Sequence, residues 1–158
     1  MVKRRREPKN VAALIQDLAS PATFVRRMAI IDLAGRASRE SLRHLMALAG
    51  DKEATIRACV AWALGEMGDA SAAPTLAGLL KDLDVEVRRA AATSLEGMHA
   101  PQALDALNRA LTDSDKWVAD HAARALARQS SRSRLRPRKV APAPVMHPFD
   151  DAPFELKP

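Results

Sequence analysis

Apolar residues return along this chain at two intervals, one short and one long. The short interval is helical. Leu42, Leu45, Leu48 and Ala49 fall at i, i+3, i+6 and i+7, and Ala73, Leu76, Leu79 and Leu80 repeat the stripe. The long interval is 31 residues: at that shift Val25, Ile56, Val87 and Val118 share one column, Leu33, Leu64, Leu95 and Leu126 a second, and Leu14, Leu45, Leu76 and Leu107 a third. Four copies of one unit therefore fit. Self-similarity at a fixed period marks a solenoid, in which each unit buries its apolar face only against its neighbours.

Each unit reads as two helices. Ser20, Asp51, Asp82 and Asp113 stand ahead of the second stretch, where a short polar side chain can cap a helix by accepting backbone N–H bonds. Pro21 suits a first helical turn, where its missing N–H costs nothing. Gly35, Gly68 and Gly97 lie at or just past the far ends, where glycine can take the left-handed cap. The pattern predicts helices at about 8–19 and 22–35, 39–49 and 53–66, 72–81 and 84–97, and 101–111 and 115–128.

Composition narrows this picture. Apolar residues make up 47% of the 158, but the share leans on alanine, with three Phe, two Trp and no Tyr. Small interior side chains favour close helix packing over a sheet core. The single cysteine, Cys59, leaves no internal disulfide framework and suits a reducing compartment. No apolar run approaches the roughly 18 residues of a membrane span, and the basic start MVKRRREP lacks the apolar core of a secretory signal. A soluble, cytoplasmic monomer is expected. The net charge of +6 resides at the ends: residues 9–129 hold 15 basic and 15 acidic side chains, residues 1–8 four against one, and residues 130–158 six against three. Nucleic-acid binding is thereby confined to the basic termini.

The stretch PTLAGLLKDLDVEVRRAAATSLEGM, residues 74–98, resembles a short HEAT-like repeat of the phycobilisome-lyase type, and Asp51 with Arg57 shows the same pattern one unit earlier. The outer copies depart from it, with Ser20 for the aspartate and Ala119 for the arginine. The resemblance implies an all-α fold, a right-handed α-solenoid of four HEAT-like helical hairpins with disordered termini. Residues 1–7 are then a basic N-terminus, 8–129 the repeat domain (about 8–37, 38–68, 69–100 and 101–129), and 130–158 a basic and proline-rich tail. It further implies that Asp51, Arg57, Asp82 and Arg88 form a structural ladder between turns. An arginine fork can bridge to its own unit's aspartate or to the next one. The functional alternative is an anion-binding arginine row.

If constant columns are scaffold, variable columns are where chemistry would differ. On the second helices these bring Phe24, Arg27, Met28, Ile31, Trp62, Glu66, Arg89, Trp117, Asp120, His121, Arg124 and Arg128 to one helix face. In HEAT-like stacks the second helices line the concave side, so this face is the candidate partner-binding groove. The bland alternative is that Phe24 and Trp117 cover exposed ends and Trp62 fills a gap.

Catalysis finds little support. His44, His99, His121 and His147 never precede a glutamate, whereas HEAT-like deoxyhypusine hydroxylases hold a di-iron site with His-Glu pairs. Cys59 and His121 stand two units apart, about 16–20 Å, too far for a nucleophile and its base. No catalytic residue, metal or cofactor is expected. In the tail, Phe149, Asp150, Asp151, Phe154 and Glu155 set aromatic anchors among acids in a segment too polar to bury a core; the alternative is a solvated end. The reading is a protein-interaction adaptor acting through groove and tail. The runner-up, implied by resemblance alone, is a bilin-lyase-like or other small-molecule-handling factor, and the third is nucleic-acid binding through the termini.

Overall fold

The computed structural model describes residues 10–135, with side chains through Ser131. The basic N-terminus 1–7 and the tail motif Phe149, Asp150, Asp151, Phe154 and Glu155 lie outside the described residues. The chain forms α1 (Val11–Asp17), α2 (Thr23–Ala34), α3 (Arg39–Ala47), α4 (Ala54–Met67), α5 (Ala73–Leu79), α6 (Val85–Gly97), α7 (Leu104–Ala110) and α8 (Lys116–Leu135). These are the eight helices and four hairpins that the two periods predict, and no strand occurs among the described residues.

Two layers result. The even-numbered helices pack side by side, α2 on α4, α4 on α6 and α6 on α8, and each odd-numbered helix packs on its successor. Between the layers lie the repeating columns: Leu14, Leu45, Leu76 and Leu107, with Ile56, Val87, Val118, Leu33, Leu64 and Leu95, are all essentially inaccessible to solvent. Each such side chain contributes about 1.5–3 kcal/mol by burial. Val25 and Leu126, in the first and last units, are only half-buried.

Alanine sets the spacing within the even layer. Ala61, Ala63, Ala91, Ala92, Ala122 and Ala125 are buried, and α4 and α6 approach closely at Gly65. A β-carbon there would stand 2.6 Å from Ser94 Cβ. Ser94 is held in place by its own bond, its Oγ donating to the Ala61 carbonyl at 2.9 Å.

Three local expectations are corrected. Ser20, Asp51, Asp82 and Asp113 are not the helix caps: the residues flanking α2, α4 and α6 are Ala22, Glu53 and Asp84, two positions on. Asp51, Asp82 and Asp113 instead accept the N–H two residues ahead, from Glu53, Asp84 and Asp115, at 2.8, 2.9 and 2.8 Å. That turn shapes the entry to the helix and leaves the second carboxylate oxygen available elsewhere. Of the three glycines read as left-handed caps, only Gly68 is one, with φ 64°; Gly35 is right-handed and Gly97 ends inside α6. One period before Gly68 the same left-handed turn falls on Ala37, with φ 45°, so the geometry repeats where the glycine does not. Lastly, α8 continues to Leu135 rather than stopping near residue 128. Nothing between Gln129 and Leu135 breaks a helix, and the hydroxyls of Ser130 and Ser131 donate back to the Leu126 and Ala127 carbonyls. The helix therefore runs on past residue 130.

Candidate functional site

The recurring arginines are held from two sides. Arg57 Nη1 donates to the Asp51 carbonyl of its own unit at 2.8 Å, while Nε and Nη2 fork onto the Asp82 carboxylate of the next at 2.7 and 2.8 Å. Arg88 repeats this, with the Asp82 carbonyl at 3.0 Å and the Asp113 carboxylate at 2.8 and 3.1 Å. The bridge thus runs to the following unit's side chain and to the arginine's own backbone. Bidentate charge-assisted bonds of this kind are strong and directional. The Arg57 fork, with the Asp84 N–H beside it, holds the Asp82 carboxyl below the ordinary carboxylate range despite partial burial.

The ladder has a third rung that the sequence motif omitted. Arg26, one period before Arg57, donates to the Ser20 carbonyl at 2.8 Å and to Glu53 Oε1 at 2.8 Å, and its Nε lies 3.5 Å from Asp51. Thr23 fixes the other oxygen of Glu53 at 2.8 Å. The outer departures now have a physical reason. Ser20 supplies only a carbonyl, which any residue carries, and Ala119 has no described unit beyond it to bridge.

Of the predicted groove residues, Arg27, Ile31, Trp62, Arg89 and Trp117 line two adjoining cavities along α2, α4, α6 and the start of α8. One cavity, of about 490 Å³, is lined by Arg27, Ile31, Cys59, Trp62 and Glu86, with Ala54, Thr55, Ala58 and Asp84 completing it. The next, of about 440 Å³, shares Ala58, Trp62 and Glu86 and runs on to Arg89, Ala90, Thr93, Ser94 and Trp117. Trp62 stands between the two, and its side is left open: Trp62 is 44% exposed and Trp117 53%. Phe24 and Met28 are exposed on α2, and Glu66 on α4, without lining either cavity. Burial raises the Cys59 thiol above its ordinary pKa, with Arg27 acting against it.

Several of the predicted groove residues are tied to neighbours. Arg89 forks onto Asp115 at 3.1 and 2.6 Å and bonds Glu86 at 2.8 Å, and this fork holds Asp115 down at about 2. Asp120 pairs with Lys116 on the solvent side of α8 at 2.7 Å. His121 is not an open groove residue but lies buried under Trp117, rings 4.5 Å apart and stacked, with Nδ1 2.9 Å from the Trp117 carbonyl.

The α8 end gathers around a residue that sequence reasoning missed. Glu96 is 14% exposed at its side chain, and it faces His121 Nε2 at 3.7 Å, Arg124 Nη1 at 3.8 Å and Arg128 Nη2 at 3.3 Å. Its column reads Ala34, Gly65, Glu96 and Ala127, small residues with one exception. That exception was the available signal. Gln129 was also missed; it accepts from the Ala100 N–H and donates to the Met98 carbonyl, both at 3.1 Å, pinning the α6–α7 turn to α8.

Among the described residues, no group of three or more His, Cys, Asp or Glu is arranged to hold a metal ion. No described helix is long and apolar enough to cross a membrane.

In structure the chain is similar to human deoxyhypusine hydroxylase in complex with glycerol, at 25% identity and a TM-score of 0.69, over 80% of this chain and 45% of that one. It therefore spans less than half of the hydroxylase chain. An engineered protein matches at 25% identity and a TM-score of 0.60, over 78% of this chain and 63% of the other. The complex of CpcE and CpcF of phycocyanin lyase from Nostoc sp. PCC7120 matches at 20% identity and a TM-score of 0.61, over 77% and 78%. No curated protein matches by sequence. The family model for HEAT repeats matches residues 11–85 and 75–141. Its span takes in all four hairpins and all three rungs of the ladder, and the chain belongs to the HEAT repeat family.

Proposed function

We propose that this protein is a non-catalytic adaptor whose groove on α2, α4, α6 and α8 grips an extended segment of a partner protein. One observation carries the reading: two adjoining cavities meet at Trp62, and both tryptophans of the chain present open faces along them. Large aromatic side chains left half in water above an otherwise closed alanine-rich core are expensive to keep exposed and are favoured as anchors at interfaces. Trp62→Ala in the full chain should abolish retrieval of the partner in affinity capture read by mass spectrometry, with helicity by circular dichroism unchanged. Retrieval of the same proteins in the same amounts would overturn the proposal.

A small-molecule-handling role has one observation in its favour. A volume of about 490 Å³ falls in the range of ligand sites, roughly 300–1,000 Å³. An absorbance shift on adding a tetrapyrrole would favour that role over the adaptor.

A further inference from the structure

The groove carries a row of apolar side chains with no described cover. Ile31, Trp62 and Trp117 line it and are exposed, and Phe24 is exposed beside them on α2. What fits such a surface is an extended segment with aromatic anchors. One such segment exists in this chain. Residues 149–155, FDDAPFE, contain two of its three phenylalanines, with three acids and no base.

Charge favours the same match. At the α8 side of the groove, Arg124 and Arg128 are 57% and 62% exposed at their side chains and share one carboxylate, Glu96. Two guanidinium charges against one carboxylate leave a positive balance there, with His121 beside it. Asp84 lines only the first of the two cavities, and Glu86, which lines both, is bonded by Arg89, so the unbalanced positive charge lies on the α8 side. That is the side from which the tail departs.

Reach is sufficient. Trp117 lies eighteen residues back from Leu135 on α8, about 27 Å at 1.5 Å per residue. Thirteen residues separate Leu135 from Phe149, and the chain between those two positions spans up to about 46 Å. A tether this short holds its end at an effective concentration on the order of 1 mM. Even a weak contact is then mostly formed.

We propose that residues 149–155 dock in cis into the chain's own groove, over Trp117 and Trp62, and must be displaced before a partner binds. This rests on the groove being a peptide-binding surface, and it adds that its resting occupant is the tail. A second copy's tail is the competing occupant.

Trp62 and Trp117 are the only tryptophans in the chain, so its emission reports on the groove alone. The full-length protein should be compared with a full-length Phe149→Ala/Phe154→Ala variant. Expected is red-shifted emission and steeper acrylamide quenching in the variant, independent of protein concentration, with identical circular dichroism. A labelled peptide of residues 145–158 should bind the variant about tenfold more tightly than the intact chain, whose binding-competent fraction is low. Equal affinity for both, no binding to either, or unchanged quenching would overturn the proposal. A quenching difference that grows with concentration alongside a sedimenting dimer would also overturn it, assigning the groove to a second copy. Loss of partner capture in Trp62→Ala would still support the adaptor reading in each of those cases, so the two fail separately.

Discussion

Arg57 donates to a backbone carbonyl of its own unit and forks onto the next unit's Asp82, whereas Arg124 stands 3.8 Å from Glu96 with most of its side chain in water. Arg88 belongs with the first and Arg128 with the second. The side-chain chemistry is the same in all four. What differs is the demand of the column. Where a residue recurs every 31 positions, its partner recurs too, and the pair closes one unit against the next. Where it occurs once, no recurring partner closes it, and Arg124 and Arg128 keep more than half of their side chains in water.

The largest effect should come from the constant apolar columns. Leu64→Ala and Leu95→Ala each remove a fully buried side chain lying between units, and each should lower unfolding free energy by about 2–5 kcal/mol in urea denaturation. A loss confined to one hairpin by hydrogen exchange, with the others untouched, would break the comparison. Gly65→Ala should follow, at about 1–3 kcal/mol, since a methyl there meets Ser94 and must push α4 from α6.

The arginine forks between units, in the ladder and at Arg89, should also be visible in acid. Arg57 depresses Asp82, and Arg89 holds Asp115 at about 2. Both carboxyls bind protons more weakly folded than unfolded, where the ordinary value is about 4. The stability they confer is therefore complete above about pH 4 and is lost as pH falls through their folded values, toward about 2 for Asp115. Melting temperature should drop across that window, and Arg57→Ala should flatten the drop. An unchanged slope in the variant would detach Asp82 from the ladder.

Ala37→Gly should produce the smallest change and the opposite sign, a gain of about 0.5 kcal/mol. Ala37 adopts the left-handed turn that its counterpart Gly68 takes freely, and relief of that conformation outweighs glycine's larger entropy in the unfolded chain. A lower melting temperature would mean that the alanine methyl packs usefully there.

Much of this architecture was legible because burial is periodic. Leu14, Leu45, Leu76 and Leu107 announce their shared role by spacing alone, and the hairpins follow from the stripes between them. The columns that fail to repeat were legible for the same reason in reverse, and Ile31, Trp62 and Thr93 of one such column line the two cavities. What escaped depended on backbone geometry or on contacts between columns. An aspartate before a helix reads as a cap, but whether it is the cap or the turn two residues earlier is decided by backbone angles. Arg26 was overlooked because its unit carries Ser20, although only the Ser20 carbonyl is used. Glu96 was overlooked because its partners His121, Arg124 and Arg128 come from the next unit's second helix, a neighbour that no single column contains.

The central claim is that recurrence separates scaffold from groove, and equilibrium urea denaturation of Arg57→Ala and Arg124→Ala in the full chain tests it most directly, on one residue type. Arg57→Ala leaves Asp82 and a backbone carbonyl without their partner, and should cost about 1–3 kcal/mol. Arg124→Ala leaves Glu96 with Arg128 and His121, and should stay within about 0.5 kcal/mol of the parent. Equal losses in the two variants would contradict the division.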